Sequence, residues 1–127
     1  MSNGRFGWSW GLGLGDPYTL EHARKILDEI LALIDKTCPE KLEGHDIEKA
    51  WRERAEEPWD KGDRSTLFEP FYWLQGVLDP HGGLAKWAVD VGEGWIGFGL
   101  RQRVSIPAEV VEIAAEIGKK PHYHEYS

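Results

Sequence analysis

The ten residues Arg5-Phe6-Gly7-Trp8-Ser9-Trp10-Gly11-Leu12-Gly13-Leu14 constrain the fold more than any other segment of the chain. Every even position is apolar, and the odd positions hold Arg, Gly, Ser, Gly and Gly. Period-two alternation over this length is the pattern of a strand with one buried face. Residues 5–14 are therefore expected to form a strand with Phe6, Trp8, Trp10, Leu12 and Leu14 turned to the core. Its other face is nearly bare. Glycine weakens a strand, so its repetition implies the close approach of something flat. A helix packed on the bare face is the favoured reading. The alternative is a ligand groove formed by Gly11, Gly13, Trp95, Gly97 and Gly99. Gly11-x-Gly13-x-Gly15 has the wrong spacing for a dinucleotide fingerprint, and no segment matches a phosphate-binding loop.

Asp16-Pro17 ends the strand. From Thr19 to Thr37 the periodicity changes to three and four, with Leu20, Ala23, Leu27, Ile30 and Ile34 on one broad apolar face. Cys38-Pro39 stops this helix. A second helix is expected from Asp46, a good N-cap, to Glu57 before Pro58. Its apolar stripe of Ile47, Ala50, Trp51 and Ala55 is narrow, which places the helix at the surface with Glu48, Glu53, Glu56 and Glu57 in water. Residues 67–78 fit a helix opened by Pro70, although Phe71-Tyr72-Trp73-Leu74 also suits a strand. Ala85, Trp87, Val89 and Val91, the turn Gly92-Glu93-Gly94, and Ile96, Phe98, Leu100, Val104 and Ile106 form the clearest hairpin signal. Its strands are expected over 84–91 and 95–106. Pro107 then opens a last helix, for which Gly118 is a natural C-cap. The fold class is α+β: a small, mainly antiparallel sheet of residues 5–14, 84–91 and 95–106 with three to four helices packed on it.

A chain of 127 residues suits one domain, here 1–127 with residues 119–127 expected as a mobile tail. The net charge is −7, and its distribution is uneven: residues 19–63 carry −5, while residues 64–106 are balanced. Such a field repels phosphate backbones and speeds encounter with basic proteins. No direct nucleic-acid contact is therefore expected. No apolar run approaches a membrane span. The lone Cys38 permits no internal disulfide and fits a cytoplasmic setting.

Seven tryptophans exceed what core filling usually requires. Trp8, Trp10 and Trp87 fall on core faces. Trp59 sits in a polar loop and is a candidate interface anchor, ringed by Glu53, Glu56, Glu57, Asp60 and Asp63. Trp95 falls on the glycine side of its strand, either as an anchor or as a cover for the bare strand. His122, His124 and Glu125 form a weak alternative metal group, against the favoured reading of a solvated tail. No residue is assigned to catalysis and no cofactor is expected. There is no Gly-x-Ser-x-Gly elbow or His-Glu-x-x-His, and the acids read as exposed rather than tuned by burial. The functional expectation is a small acidic module that binds a basic partner protein, as an immunity protein or antitoxin does. The alternatives are a small-molecule-binding domain or small enzyme using the glycine groove, and a structural protein whose aromatic surface closes a homodimer.

Overall fold

A computed structural model describes residues 3–83, 85–101 and 105–126. Its architecture is α+β, with helices packed on one face of a four-stranded antiparallel sheet. The sheet order is β2-β3-β1-β4. Strand β1 (Asn3–Gly11) pairs with β3 (Trp95–Arg101) on one side and with β4 (His122–Tyr126) on the other. Strand β2 (Trp87–Gly92) closes the hairpin with β3 through Glu93-Gly94.

Alternation in β1 places its aromatic residues as expected. Trp8, Trp10 and Leu12 are buried, and Trp8 faces Phe98 across the ladder. On the same face, Trp87 stacks on Phe98 with ring centroids 5.6 Å apart. Helix α1 (Leu20–Thr37) lays Ala23, Ile26, Leu27, Ile30, Leu33 and Ile34 against this surface. The Thr19 hydroxyl caps the helix by accepting from the His22 amide at 3.1 Å. Helix α4 (Glu69–Leu78) adds Phe71, Leu74 and Leu78, and Pro70 lies in its first turn. Residues 67–78 are thus a helix, beginning two residues later than the outer limit of the pattern. Helix α5 (Ala108–Ile117) contributes Val110 and ends at Gly118, whose φ of 71° is the left-handed conformation of a C-cap.

Several boundaries differ from the sequence pattern. Strand β1 stops at Gly11, and Leu14, expected in the core, is 85% exposed. Successive positive φ angles of 113°, 30° and 102° at Gly13, Leu14 and Gly15 turn the chain here, so the alternation outruns the ladder. Strand β3 ends at Arg101 rather than 106. Ile106 is exposed, and Val104 lies outside the described residues. Strand β2 starts at Trp87, and residue 84 lies outside the described residues.

The second helix does not stop before Pro58. Helix α2 (Ile47–Trp51) passes into a π-helical turn at Arg52–Glu56 and on into α3 (Glu57–Asp60). A proline within a helix lacks the N–H for its i−4 carbonyl and collides with that carbonyl. The wider turn, in which the Glu57 amide donates to the Arg52 carbonyl, relieves the collision and lets the helix continue. The expected tail is also corrected: residues 122–126 extend the sheet as β4, with Phe6 facing Tyr123 and their rings 4.7 Å apart.

Candidate functional site

The glycine face is shaped by the strands themselves rather than by a helix. Gly7 and Gly99 face each other across β1 and β3. A Cβ on Gly99 would lie 2.5 Å from the Phe6 carbonyl oxygen and 2.9 Å from the Gly7 Cα. One on Gly7 would lie 2.5 Å from the Gly99 Cα. The bare pair lets two backbones approach more closely than side chains permit. The described helices pack on the opposite, aromatic face, which corrects the expectation of a helix on the glycines.

Trp95 supplies the cover. A Cβ on Gly97 would meet its indole at 3.0 Å, and Gly92 lies under the same ring. Of the two readings for Trp95, the structure realises the one in which an aromatic ring fills the place of missing side chains. Arg5 is only 5% exposed and pairs with Asp90 at 2.9 Å. Burial lowers its pKa, and the Asp90 charge opposes that shift. The space lined by Arg5, Gly7, Ser9, Trp95, Gly97 and His122 measures about 20 Å³, room for a single water. Gly13 is in the turn after β1, and Gly11 lies beside the Asp16 carboxylate. Of the five groove residues, Trp95 and Gly97 line this small space, and Gly11 and Gly13 lie apart from it.

At the edge of this face the Ser9 hydroxyl and His122 Nε2 are 3.1 Å apart. Among the described residues, no three His, Cys, Asp or Glu side chains gather as a metal site. In the β4 register His124 stands opposite Arg5 and Glu125 opposite Gly4.

The acidic segment has a different character. Of the carboxylates between residues 19 and 63, all are exposed except Glu56, which is half-buried. Several neighbouring cations are held against the protein. Arg24 lies over the Trp51 ring and bonds to Asp28 and Glu48, and the bond from Arg24 holds the Glu48 carboxyl below its ordinary range. Arg54 lies over Trp73 at 5.5 Å. The π turn and α3 carry Glu53, Glu56, Glu57 and Asp60 on one continuous helical stretch. Asp63 follows in the next loop, where its carboxylate accepts from the Ser65 amide and hydroxyl at 3.0 and 2.7 Å. Those two bonds keep Asp63 readily ionised. Glu53 has Lys49 at 3.9 Å and Glu57 has Arg52 at 3.8 Å, loose pairs that leave the carboxylates in water.

Trp59 does not stand free among these acids. It is half-buried, with Tyr18 at 6.3 Å and the Arg64 guanidinium at 4.1 Å from its ring centroid. Arg64 also donates to the Trp59 carbonyl at 3.0 Å. No local sequence pattern signals this cover, which Arg64 and Tyr18 supply only in the folded chain.

No protein-family model, curated protein or solved structure matches this chain. No helix among the described residues is long and apolar enough to cross a membrane.

Proposed function

We propose that this protein is a binding module for a basic partner protein, docking it through the carboxylates of residues 47–63. A neutraliser of the immunity-protein or antitoxin type is the specific form of this reading. The observation that carries it is the exposure of Glu53, Glu57 and Asp60 along one helical stretch and of Asp63 in the loop that follows, while nearby arginines are folded onto Trp51, Trp59 and Trp73. Stacking holds these guanidinium groups close against the fold, while the carboxylates beside them extend into water. The arrangement favours fast, salt-sensitive capture of a positive partner. Trp59 serves as a support for the loop under this reading, and the contact to the partner is polar.

Affinity capture with the wild-type protein beside a Glu53→Lys/Glu56→Lys variant tests the proposal. A basic protein retained by the first and lost by the second supports it. Partners that are acidic, or that are retained equally by both, overturn it.

A further inference from the structure

We infer that Lys119 is a nucleophilic amine set in a small apolar crevice, where it takes a neutral, single-ring aromatic aldehyde as a reversible imine. The site is separate from the docking surface proposed above, because none of residues 47–63 lines it.

The crevice opens between α1 and the end of α5, beside Trp10 of β1. Trp10, Ala32, Leu33 and Ile117 form its apolar walls, and Glu29 and Lys119 are its two charged members. Its volume is about 180 Å³. An apolar cavity of about 150 Å³ holds a benzene ring, so a single ring is matched to this space.

Lys119 is held in place at both ends. Its backbone carbonyl accepts from the Trp8 indole N–H at 3.0 Å. Its Nζ donates to the Ser9 carbonyl at 3.2 Å and lies 4.2 Å from the centroid of the Trp10 ring. A neutral amine at this point has four tetrahedral positions, filled by Cε, two N–H bonds and a lone pair. One N–H meets the Ser9 carbonyl, and the other meets the face of Trp10, a weak acceptor. The lone pair is then left for the crevice. Burial lowers the pKa of this amine, with the Glu29 charge opposing that shift and the Lys25 charge adding to it. Desolvation of this kind is what makes a lysine nucleophilic near neutral pH. Lys36, Lys49 and Lys86, by contrast, are paired with Glu116, Glu53 and Glu109.

The walls and the carboxylate select the electrophile. An aromatic ring packs against Trp10, Leu33 and Ile117, and Glu29 disfavours an anionic reagent such as an acyl phosphate. The Nζ lone pair adds to the aldehyde carbon, and the carbonyl π electrons move to oxygen. Both amine hydrogens leave with that oxygen as water, which gives a C=N bond to Nζ. The step consumes no oxidant or reductant.

Benzaldehyde with cyanoborohydride, which traps the imine as a benzylamine, tests this on the folded full chain at neutral pH. Peptide mass spectrometry reads the label at each lysine. Lys119 should react about tenfold or more faster than each of the other seven lysines, because the crevice holds the aldehyde beside it. Ala32→Leu changes an exposed wall position and fills the space for the ring. It should slow benzaldehyde labelling of Lys119 about fivefold or more and leave formaldehyde labelling unchanged. Labelling of Lys119 by benzaldehyde no faster than that of the other lysines overturns the inference. So does an Ala32→Leu variant that labels at the wild-type rate, or one slowed equally towards both aldehydes.

Discussion

Gly99→Ala tests the claim that the glycines serve strand-to-strand approach. The added methyl would sit 2.5 Å from the Phe6 carbonyl oxygen, 2.8 Å from Arg5 Cγ and 2.9 Å from the Gly7 Cα. Ordinary contact requires about 3.4 Å or more, so β1 and β3 must separate by up to about an ångström at the centre of their ladder. Arg5 can swing aside, but two of the three obstacles are backbone. Overpacking of a rigid site costs about 1–3 kcal/mol. Stretching one or two ladder hydrogen bonds adds about 1 kcal/mol. The expected loss is about 2–4 kcal/mol, a fall in melting temperature of roughly 8–15 °C for a domain of this size. Gly76→Ala is the control: no atom lies within 4 Å of its added Cβ, and the site is in the interior of α4. It should stabilise by about 0.5–1 kcal/mol through helix propensity. Urea and thermal unfolding of both variants provide the measurement. A Gly99→Ala protein within about 0.5 kcal/mol of wild type would refute the close-approach argument.

Three further outcomes follow from particular contacts. Trp59→Ala should lower stability by about 1–3 kcal/mol in denaturant unfolding, since the half-buried ring packs on Tyr18 and carries Arg64; an unchanged midpoint would show that the ring is not part of the packing. Glu48 ionises below its ordinary 4.5 in the folded protein because Arg24 hydrogen-bonds to it, so its stabilisation is present above that value and disappears as pH falls through the folded pKa. Glu48→Gln should cost under about 0.5 kcal/mol at neutral pH, given the exposure of the pair, and nothing at acid pH; a pH-independent difference contradicts the assignment. Burial raises the Cys38 thiol pKa, so a thiol reagent at neutral pH should label the protein slowly when folded and rapidly in urea, whereas equal rates would place the thiol at the surface.

The elements read from sequence are those whose information is local. Trp8, Trp10 and Leu12, the face of α1, and the hairpin around Glu93-Gly94 all follow from periodicities of two or 3.6 within a dozen residues. Leu14 breaks the rule because the alternation runs three residues past the end of β1, into the turn made at Gly13, Leu14 and Gly15. Strand β4 was illegible for a different reason. His122–Tyr126 has no apolar alternation of its own, and it becomes a strand only by pairing with residues 3–7 at the far end of the chain. The Gly7–Gly99 approach is likewise a long-range fact, invisible until β1 and β3 are set in register. The path of the helix beyond Glu57 depends on a π turn, which no hydrophobic pattern signals. Within the candidate surface, the exposed carboxylates were readable from the narrow stripe of Ile47, Ala50, Trp51 and Ala55. The covering of Trp59 required Arg64 and Tyr18 in three dimensions.

Under the proposed function, the 47–63 carboxylates steer a basic partner to this protein. Stopped-flow association of the captured partner with wild type and with Glu53→Lys/Glu56→Lys, across a range of salt concentrations, tests it most directly. The variant is expected to associate roughly tenfold more slowly at low ionic strength, with a shallower salt dependence, and the two rates should converge at high salt. Equal rates for the two proteins at every salt concentration would contradict it.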